Sequence, residues 1–158
     1  MRTKSAKIRE IAPDAKYDSV LVSKLIHRSM KDGKKSVAQK QVYNALEIIA
    51  EKTKKKVTEA LEEAVSNITP QMEVRSRRVG GASYQVPMPV QTRRANSLAI
   101  RWLVLEANKR PNKEYRSYAE KLSAEIIDAL GNTGGAIEKK MSAHRMAEAN
   151  KAFSHFRW

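Results

Sequence analysis

Met72-Glu73-Val74-Arg75-Ser76-Arg77-Arg78-Val79-Gly80-Gly81-Ala82-Ser83-Tyr84-Gln85-Val86-Pro87-Met88-Pro89-Val90 is the stretch that decides the fold. Met72 and Val74 alternate with Glu73 and Arg75 on the way out; Ala82, Tyr84, Val86, Met88 and Val90 alternate with polar residues or proline on the way back. That period of two predicts an antiparallel hairpin, turned at Gly80-Gly81, because glycine accepts the positive φ angles of a two-residue turn. Pro87 and Pro89 have no amide proton to give to a ladder, so the returning strand is an edge with no third strand beside it. Two strands alone are marginal in water. The hairpin must therefore lean on helices at its base, and its tip should meet a partner.

On either side the period changes to that of helices. Val22, Leu25, Ile26 and Ser29 predict a first helix capped by Asp18 and closed by Gly33 as its left-handed C′ residue. Ala38, Val42, Ala45, Leu46 and Ile49 predict a second, over 36–52. Leu61, Ala64, Val65 and Ile68 give a third, capped by Thr58 and stopped before Pro70. The fourth, over 93–109, is apolar almost all round, with Trp102 among its large residues, so it belongs at the centre of a bundle. Its one polar stripe is Arg94, Ser97, Arg101 and Asn108. Ser117-Tyr118-Ala119-Glu120 matches a capping box opening a fifth helix. The sixth, from Ala136 to about Phe153, is thin in large apolar residues and should pack at the bundle edge, facing another molecule. The fold class expected is mainly α: a single domain over 1–158, with about six helices, a protruding hairpin over 72–90, an extended basic arm over 1–17 and a C-terminal helix and tail over 136–158. At this length one core can bury roughly 70% of the unfolded surface.

Charge narrows the function. Lys and Arg number 31 against 17 Asp and Glu, a net charge of +14, which destabilises a compact chain unless a polyanion neutralises it. Cysteine is absent, which removes disulfides, thiolate metal sites and thiol nucleophiles and fits a reducing compartment. No apolar run approaches transmembrane length, and the start, Met-Arg-Thr-Lys-Ser-Ala-Lys, has no signal-peptide core, so a soluble intracellular protein is expected. His144 and His155, on one helix, would stand about 16 Å apart and could not share a metal. The loop Gly131-Asn132-Thr133-Gly134-Gly135 lacks the Lys-Ser/Thr of a phosphate loop and reads as a connector. No nucleophile, base and orienting group come together, so no enzyme, cofactor or metal is expected.

Arg75, Arg77 and Arg78 stand on the slender hairpin, and Arg93 and Arg94 open a helix whose N-terminal dipole is already positive. A phosphate there would be bound by amides, dipole and guanidinium forks together. No helix carries a base-reading face and no zinc spacing exists, so folded RNA, recognised by shape and backbone, is favoured over DNA. A DNA-architectural protein with an arginine hairpin remains the first alternative; an RNA-processing enzyme using His144 is the second.

Glu73 to Pro87, together with Asp32-Gly33-Lys34-Lys35, the ending His144-Arg145-Met146-Ala147-Glu148-Ala149-Asn150-Lys151-Ala152-Phe153-Ser154-His155-Phe156-Arg157-Trp158, and Arg93, Arg94, Asn96, Leu98, Ala99, Arg101 and Trp102, closely resembles the bacterial-type small-subunit ribosomal protein S-seven family over nearly the whole chain. The resemblance implies a six-helix bundle with one protruding hairpin, binding the 3′ major domain of small-subunit ribosomal RNA and starting assembly of the head. It also implies a cytoplasmic place in the small subunit beside exit-site transfer RNA and the messenger path, with head and platform ribosomal proteins as neighbours. By resemblance Arg75, Arg77 and Arg78 lie near the exit site. The arm residues Arg2, Lys4, Lys7 and Arg9, with Lys34, Lys35, Arg93, Arg94 and Arg101, face ribosomal RNA; Lys139, Lys140, Arg145 and Lys151 lie on the terminal helix. The chain departs from the family pattern in Met141-Ser142-Ala143 after the two lysines, in a slightly long connection from Pro111 to Tyr118, and in Phe156 where tyrosine is common.

Overall fold

The structure, a computed structural model, describes residues 9–157. Six α-helices follow the expected order: α1 Val20–Ser29, α2 Lys35–Thr53, α3 Val57–Ile68, α4 Thr92–Lys109, α5 Tyr118–Leu130 and α6 Gly135–Ala149. Between α3 and α4 lie β1 Met72–Val79 and β2 Ala82–Pro89, and after α6 comes a 3-10 helix, Lys151–Phe156. The buried faces of all six α-helices join in one hydrophobic cluster, with Leu25, Leu46, Ile49, Leu61, Ile68, Leu103, Leu122 and Ile126 fully inside it. No helix among the described residues is long and apolar enough to cross a membrane.

The strands pair antiparallel from Met72 with Pro89 to Val79 with Ala82, and among the described residues no third strand joins them. Gly80 and Gly81 take φ of 57° and 91°, which only a residue without Cβ adopts cheaply, and they close the two-residue turn as the sequence predicts. Val86 and Pro87 are both buried. Neighbours on a strand point to opposite faces, so the hairpin base is covered on both sides while the residues about the tip stay exposed.

Helix ends depart from expectation where a turn competes with a cap. Asp18 is not the cap of α1: it sits at φ 44°, and Ser19 takes the N-cap place without a side-chain bond. Gly33 is left-handed at φ 73°, but α1 has already ended at Ser29; Asp32 and Gly33 form a separate tight turn closed by the Lys34 amide donating to the Lys31 carbonyl. Thr58 lies inside α3, whose N-cap is Lys56. The capping box on α5 is present in altered form: Ser117 accepts from the Glu120 amide, while the Glu120 carboxylate accepts from Arg116, one residue beyond the cap. α4 is not buried all round. Leu105 is 45% exposed and Trp102 only partly buried, because the helix is covered by α1, α3, α5 and α6 and leaves one side open.

The expected single terminal helix is two elements. Asn150 ends α6 by bonding the Met146 carbonyl through both its amide and its side chain, and the chain tightens to a 3-10 turn. In that geometry residues three apart eclipse, so Phe153 and Phe156 stack with ring centroids 6.5 Å apart, and both reach Tyr84 of the hairpin, at 5.3 and 5.1 Å. The hairpin thus gains support along its length that helical spacing alone did not predict. The described end of the arm, residues 9–17, has neither helix nor strand but is docked from Ala12 onward. Asp14, 8% exposed, accepts from the Lys16 and Tyr17 amides and from the Tyr43 hydroxyl, and Ser23 donates to the Ala12 carbonyl.

Candidate nucleic-acid interface

Glu73 organises the base of the hairpin. It is 8% exposed, yet it is an acid on a strand that sequence reading treated as merely alternating. Its carboxylate accepts from Arg75 Nε at 2.6 Å and from Arg94 Nε at 2.8 and 2.7 Å, so one acid ties β1 to the first turn of α4. Burial alone would raise its pKa, but the two guanidiniums outweigh it and hold the carboxyl below the ordinary carboxylate value. The first turn of α4 has no acid of its own, and Glu73 supplies the missing counter-charge from outside the helix. Both arginines keep half their side-chain surface open to solvent, so each is held in place without being hidden.

Beside this clamp, Arg93 faces α1 across a groove of about 310 Å³ whose walls include Lys24, His27, Arg28, Ser97, Ile100 and Ile11 of the arm. Lys24 and Arg28 were missed in the sequence, although their spacing of four, with His27 between them, is the polar face of α1, readable once its apolar face is known. Further along α4, Ser97, Arg101 and Asn108 remain exposed with Arg94, so the predicted stripe is a real outward face. Lys34 and Lys35 are exposed at the start of α2; Lys35 shares a second groove with Arg9, Glu10 and Asp14. Arg78 is exposed at the hairpin tip, and Arg77 is half-buried. Arg2, Lys4 and Lys7 lie outside the described residues.

The α6 lysines and arginine form a separate group. Lys139, Arg145 and Lys151 are exposed, whereas Lys140 is partly buried and its Nζ donates to the Asn67 carbonyl at 2.6 Å, satisfying a backbone acceptor at the C-terminal end of α3. His144 Nε2 accepts from the Gln71 amide at 3.0 Å, fixing α6 to the hairpin base; burial first, and then Lys140, lower its pKa. In the basic run Lys52 to Lys56, two of the four lysines are engaged in ordinary surface ion pairs, Lys55 with Glu63 and Lys56 with Glu59.

The glycine loop before α6 is a connector. Buried Glu125 accepts from the Ala136 amide at 2.8 Å, occupying the helix end where a phosphate would sit, and also from Arg110 Nε at 2.9 Å; Arg110 pairs with Asp128 as well. Gly134 takes φ 90°, and a Cβ there would approach Asp128 Cβ to 3.0 Å; one on Gly135 would meet Glu106 Oε2 at 3.0 Å and require that side chain to shift. The Arg110–Glu125–Asp128 network was not legible in sequence, since Arg110 follows α4 while both acids lie on α5, and all three look like surface charges.

Fold and surface together define a class: a helical bundle with a projecting arginine hairpin and a cationic face, in which the buried acids serve structure. A family model described as "Ribosomal protein S7p/S5e" matches residues 1–151. The chain is also 59% identical, over all 158 residues and the full length of both chains, to the small ribosomal subunit protein uS7 of Thermosipho melanesiensis. It is 56% identical over the same span to that of Thermosipho africanus. With that of Dictyoglomus thermophilum the identity is 59% over 150 residues, 95% of this chain and 94% of the relative. The chain belongs to the ribosomal protein S7p/S5e family, which makes it a structural ribosomal protein rather than an enzyme.

Proposed function

We propose that the protein is a component of the cytoplasmic small ribosomal subunit that binds the 3′ major domain of its ribosomal RNA, nucleates assembly of the head, and lies near exit-site transfer RNA and the messenger path. Residues 1–158 act as one RNA-binding unit, with head and platform ribosomal proteins as neighbours. The observation that carries this reading is the set of exposed cations on α4: Arg94 tied to the hairpin base through Glu73, Arg93 sharing a groove with Lys24 and Arg28 of α1, and Arg101 two turns further along. Among the described residues Lys24, Arg28, Arg93 and Arg101 have no ion-pair partner, so their charge is available to phosphates. The arm residues Arg2, Lys4, Lys7 and Arg9, with Lys34 and Lys35, extend that contact. Arg75, Arg77 and Arg78 reach toward transfer RNA, and Lys139, Arg145 and Lys151 make a lesser contribution from α6.

Filter binding of a 3′-domain RNA fragment against a DNA copy of the same sequence, at moderate salt, tests the reading. Preference for the RNA is expected, because A-form shape and the 2′-hydroxyl distinguish the two; equal affinity would favour a DNA-architectural protein and overturn the proposal.

A further inference from the structure

We propose that the groove between the arm, α1 and α4 is a socket for one unstacked nucleotide of the bound RNA. The inference rests on the RNA-binding reading and adds a specific mode of recognition to it. The cavity, about 310 Å³, lies at the small end of the range of about 300 to 1,000 Å³ typical of ligand sites. Its composition is divided. Ile100, 4% exposed, and Ile11, 39% exposed, provide apolar surface. Lys24, Arg28 and Arg93 provide cations, while Ser97 and His27 add hydrogen-bonding groups.

That division matches a nucleotide, which has an apolar ring face, a polar ring edge and a phosphate. The ring lies against Ile11 and Ile100, its edge meets the Ser97 hydroxyl or the His27 imidazole, and the phosphate takes guanidinium forks from Arg28 and Arg93. Charge complementarity separates this groove from its neighbours. Each of the others carries a carboxylate that would repel a phosphate: Glu10 and Asp14 in one, Glu62 in the next, Asp32 beside Lys34, and Glu148 beside Lys151. Among the described residues no carboxylate lines this one. Ile11 and His27 are also walls of the adjoining groove, so the two grooves are contiguous although only the first lacks a carboxylate among the described residues.

The test uses the full chain, a 3′-domain RNA fragment and two variants. Ser97→Trp fills the socket from an exposed helix position, and Ile11→Ser removes apolar wall from a segment outside the helices, so both should melt with the wild type. Each is expected to weaken RNA binding by roughly ten- to hundredfold, the worth of one base stacked on protein, with the salt slope unchanged, whereas Arg93→Ala lowers the slope by roughly 0.7 to 0.9. Base-specific chemical probing should show one nucleotide altered in the wild-type complex and not in that of Ser97→Trp. If the wild type binds the RNA and both variants bind equally well, the socket is overturned while the RNA reading stands. If the wild type does not bind the RNA, the RNA reading itself fails.

Discussion

Replacing Glu73 by Gln keeps the volume of the side chain and removes its charge, leaving Arg75 and Arg94 without the acid that joins them. Three short contacts are involved, from 2.6 to 2.8 Å, on a carboxylate whose side chain is 11% exposed. Hydrogen bonds to charged groups are worth about 1.5 to 3 kcal/mol when buried, but both guanidiniums are half in solvent, and a glutamine still accepts one bond, so the net loss is about 1 to 2 kcal/mol. For a chain of this size that lowers Tm by roughly 2 to 8 °C. RNA binding should move the opposite way. A negative charge disappears beside the phosphate path and two arginines are released, so affinity for polyanions and the salt slope both rise, by up to roughly 0.7 to 0.9 per added phosphate contact.

The pH dependence follows from the same clamp. Because the folded pKa of Glu73 lies below its ordinary value of 4.5, its stabilisation is fully present above that value and is lost as pH falls through the lower folded one. Wild type and Glu73→Gln should therefore differ above about pH 5 and converge in stronger acid. Thermal melts read by circular dichroism, with salt-dependent filter binding on the same samples, measure both signs. An unchanged Tm together with weaker RNA binding would show that Glu73 does not hold the arginines as described.

Arg78→Ala, at the exposed tip, should leave stability within about 0.5 kcal/mol of wild type and reduce the salt slope of RNA binding by roughly 0.7 to 0.9. Arg75→Ala, by contrast, should also destabilise, since it gives up Glu73. Leu103→Ala, at a fully buried position, should cost about 2 to 5 kcal/mol in urea unfolding and exceed Trp102→Ala, which removes a larger but only partly buried side chain. His144 accepts a backbone proton only when neutral and its folded pKa is depressed, so its contribution is complete above the unfolded value of 6.5 and disappears as pH falls through the folded one. His144→Gln should flatten that part of the stability profile, which melts between about pH 5 and 7 would show.

Periodicity made the six helices and the hairpin legible because each needs a stripe or an alternation to reach the core, and those patterns are local. Gly80-Gly81 and the two edge prolines were equally readable, being backbone requirements of a turn and an edge. Caps were less so. Asp18 and Thr58 are good cap residues placed one residue away from the true N-cap, Ser19, and two away from Lys56, where tertiary docking of the arm and a basic connection decide the boundary. What sequence could not show was which distant charges meet. Glu73 looked like the polar partner in an alternation and Lys140 like an RNA-facing lysine, yet one clamps two arginines and the other caps a carbonyl of α3. Of the arginines singled out from sequence, Arg94 meets the hairpin base through Glu73, and Arg93 shares a groove with Lys24 and Arg28 of α1, which no motif announces.

A density map of the full chain bound to its 3′-domain RNA is the most direct measurement of this account. RNA phosphates are expected within hydrogen-bonding distance of Arg93 and Arg101, with the backbone passing the α1–α4 groove and the hairpin base. RNA seated on α6 around Lys139 and Arg145, with that groove facing solvent, would contradict it.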